Sequence, residues 1–363
     1  MAIAPLIWWA LVTPSDLARS ESTPPYLDLH VHVAGLGYGQ SGIFLSEDLL
    51  DSYKARYYFN AFGVSREQLQ REGDRIVIER LSLMIEESRE VAAAVVLALD
   101  GVVDEHGAMD WNRTQIYVPN EFLARELPEY PNLHFGASIH PNRRDAIDRL
   151  HQVADQGAVL IKWLPNIMQI EPSDPRNREF YATMRDLDLP LLSHTGMERA
   201  FMSADNALGD PRKLELPLSM GVTVIAAHLA STGSINGESQ FERLVDMFGE
   251  FPNLYADVSS LTQVNKIGYL KEALRRPQVP ERLLYGSDWP LQNFPVVSPF
   301  YHLGTISMAD AKRVERTANA WDRDVYLKRA MGVDESIFRR AEQILNLPFR
   351  NTQRSRNQVQ EKP

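Results

Sequence analysis

A chain of 363 residues, 44% apolar and 24% charged, is long enough for one large barrel or two mid-sized domains, and its lack of cysteine excludes disulfides, thiolate metal sites and cysteine nucleophiles. The 48 acidic residues against 38 basic ones give a formal charge of −10 with no long basic run, which argues against a nucleic-acid partner.

Residues 1–25 read as an arm or a weak signal-like segment. Ile3 to Val12 is apolar and contains Trp8 and Trp9, yet it is too short to span a bilayer, so no stable membrane insertion is expected. A secretory signal carries positive charge before its apolar run, whereas the first basic residue here is Arg19. A cytoplasmic location is therefore favoured, with export through this segment as the alternative.

From Tyr26 onward, short apolar runs alternate with longer segments of helical period, the pattern of repeated β-α units. Tyr26–Val33 is the first strand, and a helix near Ile76–Glu90 leads into a second at Val91–Leu99. The continuous apolar character of that second run suits a parallel strand covered on both faces. Leu133–Ile139 follows, then a helix at Arg143–Gln156 ending on Gly157, and a fourth strand at Ala158–Leu164. Pro190–His194, Val222–His228, Leu254–Val258 and Arg282–Gly286 complete eight strands, with helices at Arg178–Leu187, Phe241–Phe251 and Ile267–Arg275 between them. The span suits a (β/α)₈ TIM barrel, which takes about 250 residues. Three further helices, Met308–Arg316, Trp321–Met331 and Glu335–Leu345, are expected to pack on the barrel exterior. The barrel domain is placed at 26–348 and a polar tail at 349–363.

The chemistry gathers at strand ends. His30 and His32 stand two apart on the first strand and so share a face. His194 ends the fifth strand, His228 the sixth, and Asp288 lies just past the eighth in Gly286-Ser287-Asp288-Trp289-Pro290. In this fold the C-terminal ends of different strands converge on one mouth, and neutral imidazoles with a carboxylate suit a first-row divalent ion. An ion lowers the pKa of its bound water from 15.7 to about 7. Asp288 can handle that water's proton, and His228 can face the developing oxyanion.

With these residues in place, the stretch from Tyr26 to Trp289 resembles the amidohydrolase superfamily, and more narrowly its amidohydrolase-related branch of hydrolases, lactonases and non-oxidative decarboxylases. The resemblance implies His30, His32 and His194 as metal ligands and His228 as a second-metal ligand or carbonyl polariser. It implies Asp288 as a ligand that also moves the proton of the bound water. Lys162, inside the fourth strand, is left among three roles: a carboxylated bridge between two ions, an anchor for a substrate carboxylate, or a structural ion pair. A buried lysine is costly unless paired or altered, which is what singles it out.

One or two divalent ions are expected, zinc first, with manganese and iron accepted by the same ligand types. The leading activity is hydrolysis of an ester, lactone or amide; the alternatives are decarboxylation of an aromatic or unsaturated acid at the same site, or a metal-binding barrel without catalysis. Arg199, His140 and Trp289 are candidate substrate contacts, Arg199 as a clamp for a small substrate carrying a carboxylate. Glu198 reads as a loop salt bridge or cap. Gly35, Gly37, Gly39 and Gly42 lack the helix start and lysine of a phosphate loop and read as a flexible active-site loop. Outer helices offer a route to a homo-oligomer.

Overall fold

A computed structural model describes residues 26–293 and 297–347; the expectations for residues 1–25 and 349–363 lie outside them. Eight parallel strands pair in chain order: β1 (Tyr26–His32), β2 (Val91–Leu97), β3 (Leu133–Ala137), β4 (Ala158–Trp163), β5 (Leu191–His194), β6 (Val224–Ala227), β7 (Leu254–Asp257) and β8 (Leu283–Leu284). The first and last join through a bridge between Val31 and Trp289, where the His32 amide donates to the Trp289 carbonyl at 2.9 Å. The Asp288 amide likewise donates to the His30 carbonyl at 2.9 Å. The TIM barrel expected from the alternating pattern is therefore present, with each strand a residue or more shorter than its apolar run.

Two apolar layers hold it. Inside the barrel lie Leu27, Leu29, Val95, Leu97, Leu160 and Leu192, all buried. Outside, amphipathic helices lay one stripe on the sheet: Arg75–Glu86 buries Ile76, Val77, Leu81 and Ile85, and Arg178–Asp186 buries Phe180, Tyr181 and Met184. Each fully buried side chain of this kind contributes about 1.5–3 kcal/mol. The C-terminal helix Glu335–Ile344 departs from the expected exterior packing. Its Ala341 and the following Leu345 join the interior cluster with Leu27 and Leu284, so it closes the end of the barrel opposite the site. The physical reason is vacancy: an open barrel end exposes apolar interior that some element must cover. Among the described residues no helix is long and apolar enough to cross a membrane.

The long connection after β1 carries three short helices, Glu47–Asp51, Tyr53–Ala61 and Arg66–Glu72. Asp74 pins its two ends together, accepting from the amides of Leu36 (3.0 Å) and Gly37 (2.8 Å) and the hydroxyl of Ser41 (2.6 Å). A Cβ on Gly35 would strike this carboxylate. The glycine-rich stretch is thus a close wrap around the chain's own aspartate, in place of the flexible loop expected.

Candidate metal centre

The two histidines of β1 owe their aim to an extra residue. Pairing of β1 with β2 slips between Asp28 and Val31, so three steps on β1 match two on β2. Leu27 and Leu29 point into the barrel core below the slip, and Val31 packs in the outer layer above it. A bulge of this kind re-aims side chains; here it turns His30 and His32 inward together, at the level of the mouth. Asp28 holds the bulge from the outer side. Its carboxylate accepts from the amides of His30 (3.0 Å) and Ser287 (2.9 Å) and from the Trp321 indole (2.8 Å). Burial pushes its pKa up to about 6 against these hydrogen bonds.

The other members arrive by strand ends and strained turns. Lys162 and His194 follow the inward phase of Leu160 and Leu192. His228 comes directly after inward-facing Ala227, which regular alternation forbids. It gets there because His228, Leu229 and Ala230 all adopt left-handed backbone (φ 59°, 54° and 46°). Non-glycine residues rarely take that region, and the strain collects at functional sites. Asp288 also has positive φ, 65°. Gly286 leaves the room: a Cβ there would lie 2.9 Å from that of His30.

The result is a tight ring of donors. His30 Nε2 lies 3.1 Å from His32 Nε2 and 3.6 Å from Asp288 Oδ1, and His32 Nε2 is 3.4 Å from the same oxygen. His228 joins His30 and Asp288 in a group whose ligand atoms all fall within 4.8 Å of one another. The His194 ring is 5.0 Å from that of His228, and its buried Nε2 has no hydrogen-bond partner. Burial depresses the imidazole pKa values, to about 4 for His32 and well below the usual value for His194 and His228. These rings are neutral near pH 7. Burial opposes ionisation of Asp288, yet His228, His32 and His30 hold its carboxyl well below the usual range.

The donor set fits a small divalent ion. Two atoms bound at 2.0–2.1 Å around a tetrahedral ion lie about 3.4 Å apart, and the ring's spacings of 3.1, 3.4 and 3.6 Å straddle that edge. Asp257 prepares the ring from behind. Its Oδ2 is 2.7 Å from His30 Nδ1, which assigns the ring proton to Nδ1 and leaves the Nε2 lone pair facing inward. Burial would raise the Asp257 pKa, but His30 and His228 hold it far below. Ser259 Oγ sits 2.7 Å from His228 Nδ1 and orients that ring in the same way.

Lys162 Nζ is 3.0 Å from His30 Nε2, and burial lowers its pKa to about 8. Glu198, half expected as a mere loop contact, places Oε2 3.7 Å from His194 Nε2; burial pushes its pKa up, and Asp288 adds to the rise. Above the ring opens a cavity floored by His32, Lys162, His194, His228 and Asp288 and walled mostly by apolar side chains, with Tyr58 and Glu198 as its other polar members.

The predicted substrate contacts do not reach this cavity. Arg199 is exposed, with Nε against Met197 Sδ, because its loop turns outward one residue after Glu198. Trp289 is fully buried in the outer layer, stacked on Trp321 with ring centroids 4.5 Å apart; the left-handed turn at Asp288 sends it away from the mouth. His140 is buried just after β3 and is not among the cavity's lining residues. Its Nε2 meets the Met168 carbonyl at 3.1 Å and its Nδ1 accepts from the Asn142 amide at 3.1 Å. Burial lowers its pKa to about 3.

His140 should therefore act on stability. The folded state keeps this ring neutral while the unfolded chain protonates it below about 6.5, so unfolding takes up a proton and stability falls as pH drops through that value. The loss is about 2 kcal/mol by pH 5. Chemical denaturation of the parent and His140→Gln at pH 7.5 and 5 should show a smaller acid loss in the variant. Equal losses would mean that the ring is not held neutral.

The reading of strand ends passed over Asp257, although it ends β7 as His194 ends β5. Lys266 carried no signal. It lies in the turn after β7, and its charge is felt by Asp288 and Glu198, while burial lowers its pKa.

Comparison with known proteins bears on this arrangement. The profile of the amidohydrolase family matches residues 28–311. No curated protein sequence matches the chain. Among solved structures, a 2,6-dihydroxybenzoate decarboxylase complexed with 2,6-dihydroxybenzoate is 15% identical, covering 90% of this chain and 100% of its own at a TM-score of 0.53. The 2,6-dihydroxybenzoate decarboxylase from Rhizobium is 17% identical, with coverage of 89% and 99% and a TM-score of 0.50. A candidate 2-pyrone-4,6-dicarboxylic acid hydrolase from Pseudomonas putida is 13% identical, with coverage of 89% and 97% and a TM-score of 0.50. At these identities the likeness speaks for the barrel fold.

Proposed function

The chain belongs to the amidohydrolase family, and from that premise we propose that it hydrolyses an ester, lactone or amide with one zinc ion held by His30, His32, His194, His228 and Asp288 as available donors. The observation that carries this reading is the ring itself: the His30 and His32 imidazole nitrogens and an Asp288 oxygen at 3.1–3.6 Å, on the floor of a cavity. When bound, the ion supplies Lewis acidity and lowers the pKa of water from 15.7 to about 7.

The chain's own groups do the rest. Asp288 accepts the proton of the attacking water and returns it to the departing oxygen or nitrogen. It is fitted to this because its Oδ1 lies in the ring beside His30 and His32 and the Ser260 hydroxyl, donating to Oδ2, fixes its rotamer. Lys162 lies on the cavity floor as an amine, positioned to meet negative charge developing on the carbonyl oxygen. Asp257 and Ser259 keep His30 and His228 in the tautomers that face inward. The family reading favours one ion because a single group of donors meets the spacing of a shared ligand set among the described residues.

The test is metal content with turnover. Protein purified without chelator should carry close to one zinc per chain, hydrolyse members of an ester, lactone and amide panel, lose that activity on chelation and regain it with zinc. A panel that includes 2,6-dihydroxybenzoate separates the second reading: carbon dioxide release with no hydrolysis would replace the hydrolase with a lyase on the same ring. Two ions per chain, falling to one in Lys162→Ala, would instead establish a carboxylated lysine bridge.

A further inference from the structure

The walls of the cavity describe the part of the substrate that does not react. Leu45 and Leu49 come from the connection after β1, Phe59 from the helix Tyr53–Ala61, Leu99 from the end of β2, Ile116 from the strand that pairs with Phe44–Leu45, and Phe201 from the loop after β5. Three connections, after β1, β2 and β5, thus contribute apolar side chains to one space, which His228 and Asp288 also line. The charges lie at the floor. Among the described lining residues Lys162 is the one cation, and its Nζ is already 3.0 Å from His30 Nε2. Arg199, the expected carboxylate clamp, is exposed and turned to Met197.

We propose that the substrate carries an uncharged, apolar body, aliphatic or aromatic, which fills this cavity and leaves its carbonyl group at the ring. The proposal rests on the hydrolase reading for the chemistry at the floor, but the cavity's preference is a property of its walls. Each methylene moved from water into such walls contributes about 0.8 kcal/mol, a factor of about three to four in binding. A second carboxylate on the same body would lose its hydration against leucine and phenylalanine, with no second cation among the described lining residues to meet it.

Binding of the product acid tests this without requiring turnover. With the full-length, zinc-loaded protein, calorimetric titration of straight-chain monocarboxylic acids from four to eight carbons should give dissociation constants that tighten about three- to fourfold per methylene until the cavity is full. The dicarboxylic acid of equal length should bind at least roughly tenfold more weakly. Phe201→Ala, which removes a half-buried wall side chain from the loop after β5, should lessen the gain per methylene while the thermal midpoint shows the variant folded. A flat series in the parent, a tighter dicarboxylate, or no binding of any acid would overturn the proposal. Rates on the matching esters and lactones are read separately. A steep binding series without turnover would remove the hydrolase and keep the apolar cavity; brisk turnover with no preference for apolar acids would do the reverse.

Discussion

Asp288→Asn is expected to lower kcat by about 10²- to 10⁴-fold, the span usually carried by a positioned general acid or base. The substitution keeps size and shape, and an asparagine oxygen can still accept the Ser260 hydroxyl that now donates to Asp288. It removes the negative charge that three histidines surround and the basicity that takes a proton from water. Because Asp288 Oδ1 is also 3.4–3.6 Å from His32 and His30 and belongs to the donor ring, the comparison must be made at saturating zinc. Under that condition loss of ligation is compensated by mass action and the remaining deficit belongs to proton transfer. A folded variant that turns over at the parent rate at saturating zinc would refute the role.

The second large effect is expected from a residue that does not face the cavity. Asp257→Asn should weaken zinc affinity about 10- to 100-fold, the usual consequence of removing an orienting carboxylate behind a ligating histidine. Asp257 Oδ2 accepts a hydrogen bond from His30 Nδ1 at 2.7 Å, while Oδ1 accepts from the His228 amide at 2.8 Å and the Ser259 amide at 3.1 Å. An amide can offer its NH₂ group to His30 Nδ1 in place of an acceptor. The ring proton then moves to Nε2 and occupies the lone pair that the ion needs. Competition against a chromophoric chelator measures the affinity directly. An affinity within twofold of the parent would show that the tautomer is set elsewhere.

How much of this was open to reading in the sequence depends on what each position answers to. The barrel was legible because its strands are buried on both faces and therefore read as apolar runs with few interruptions. The donors on β1, β5, β6 and β8 were legible because a histidine or aspartate closing such a run has few uses besides the mouth. Asp257 was hidden because the run continues to Val258, which places it inside the expected strand, whereas the strand ends on Asp257 itself. The three expected substrate contacts failed for one shared cause. Residues after a strand end are aimed by loop geometry, and the left-handed turn at Asp288 that points its carboxylate inward sends Trp289 into the outer layer. Likewise Arg199 lies one residue beyond Glu198, whose carboxylate faces the cavity, and is itself exposed. The apolar walls were illegible for a different reason: Leu45, Leu99 and Phe201 are far apart in the chain and share no period, and only closure of the barrel brings them over one floor.

The slip in β1 separates two tasks along a single seven-residue strand. Leu27 and Leu29 answer to the barrel core, and His30 and His32 to the mouth, with the extra residue acting as a phase change between them. Point changes among the lower leucines can retune the core without disturbing the angle of the imidazoles. A change of length is another matter, since dropping one residue between Asp28 and Val31 would restore strict alternation and rotate both rings toward the surrounding helices. The strand is thus open to substitution and closed to deletion, so descendants of this barrel are free to vary in sturdiness while their histidine pair stays locked to a fixed count of residues.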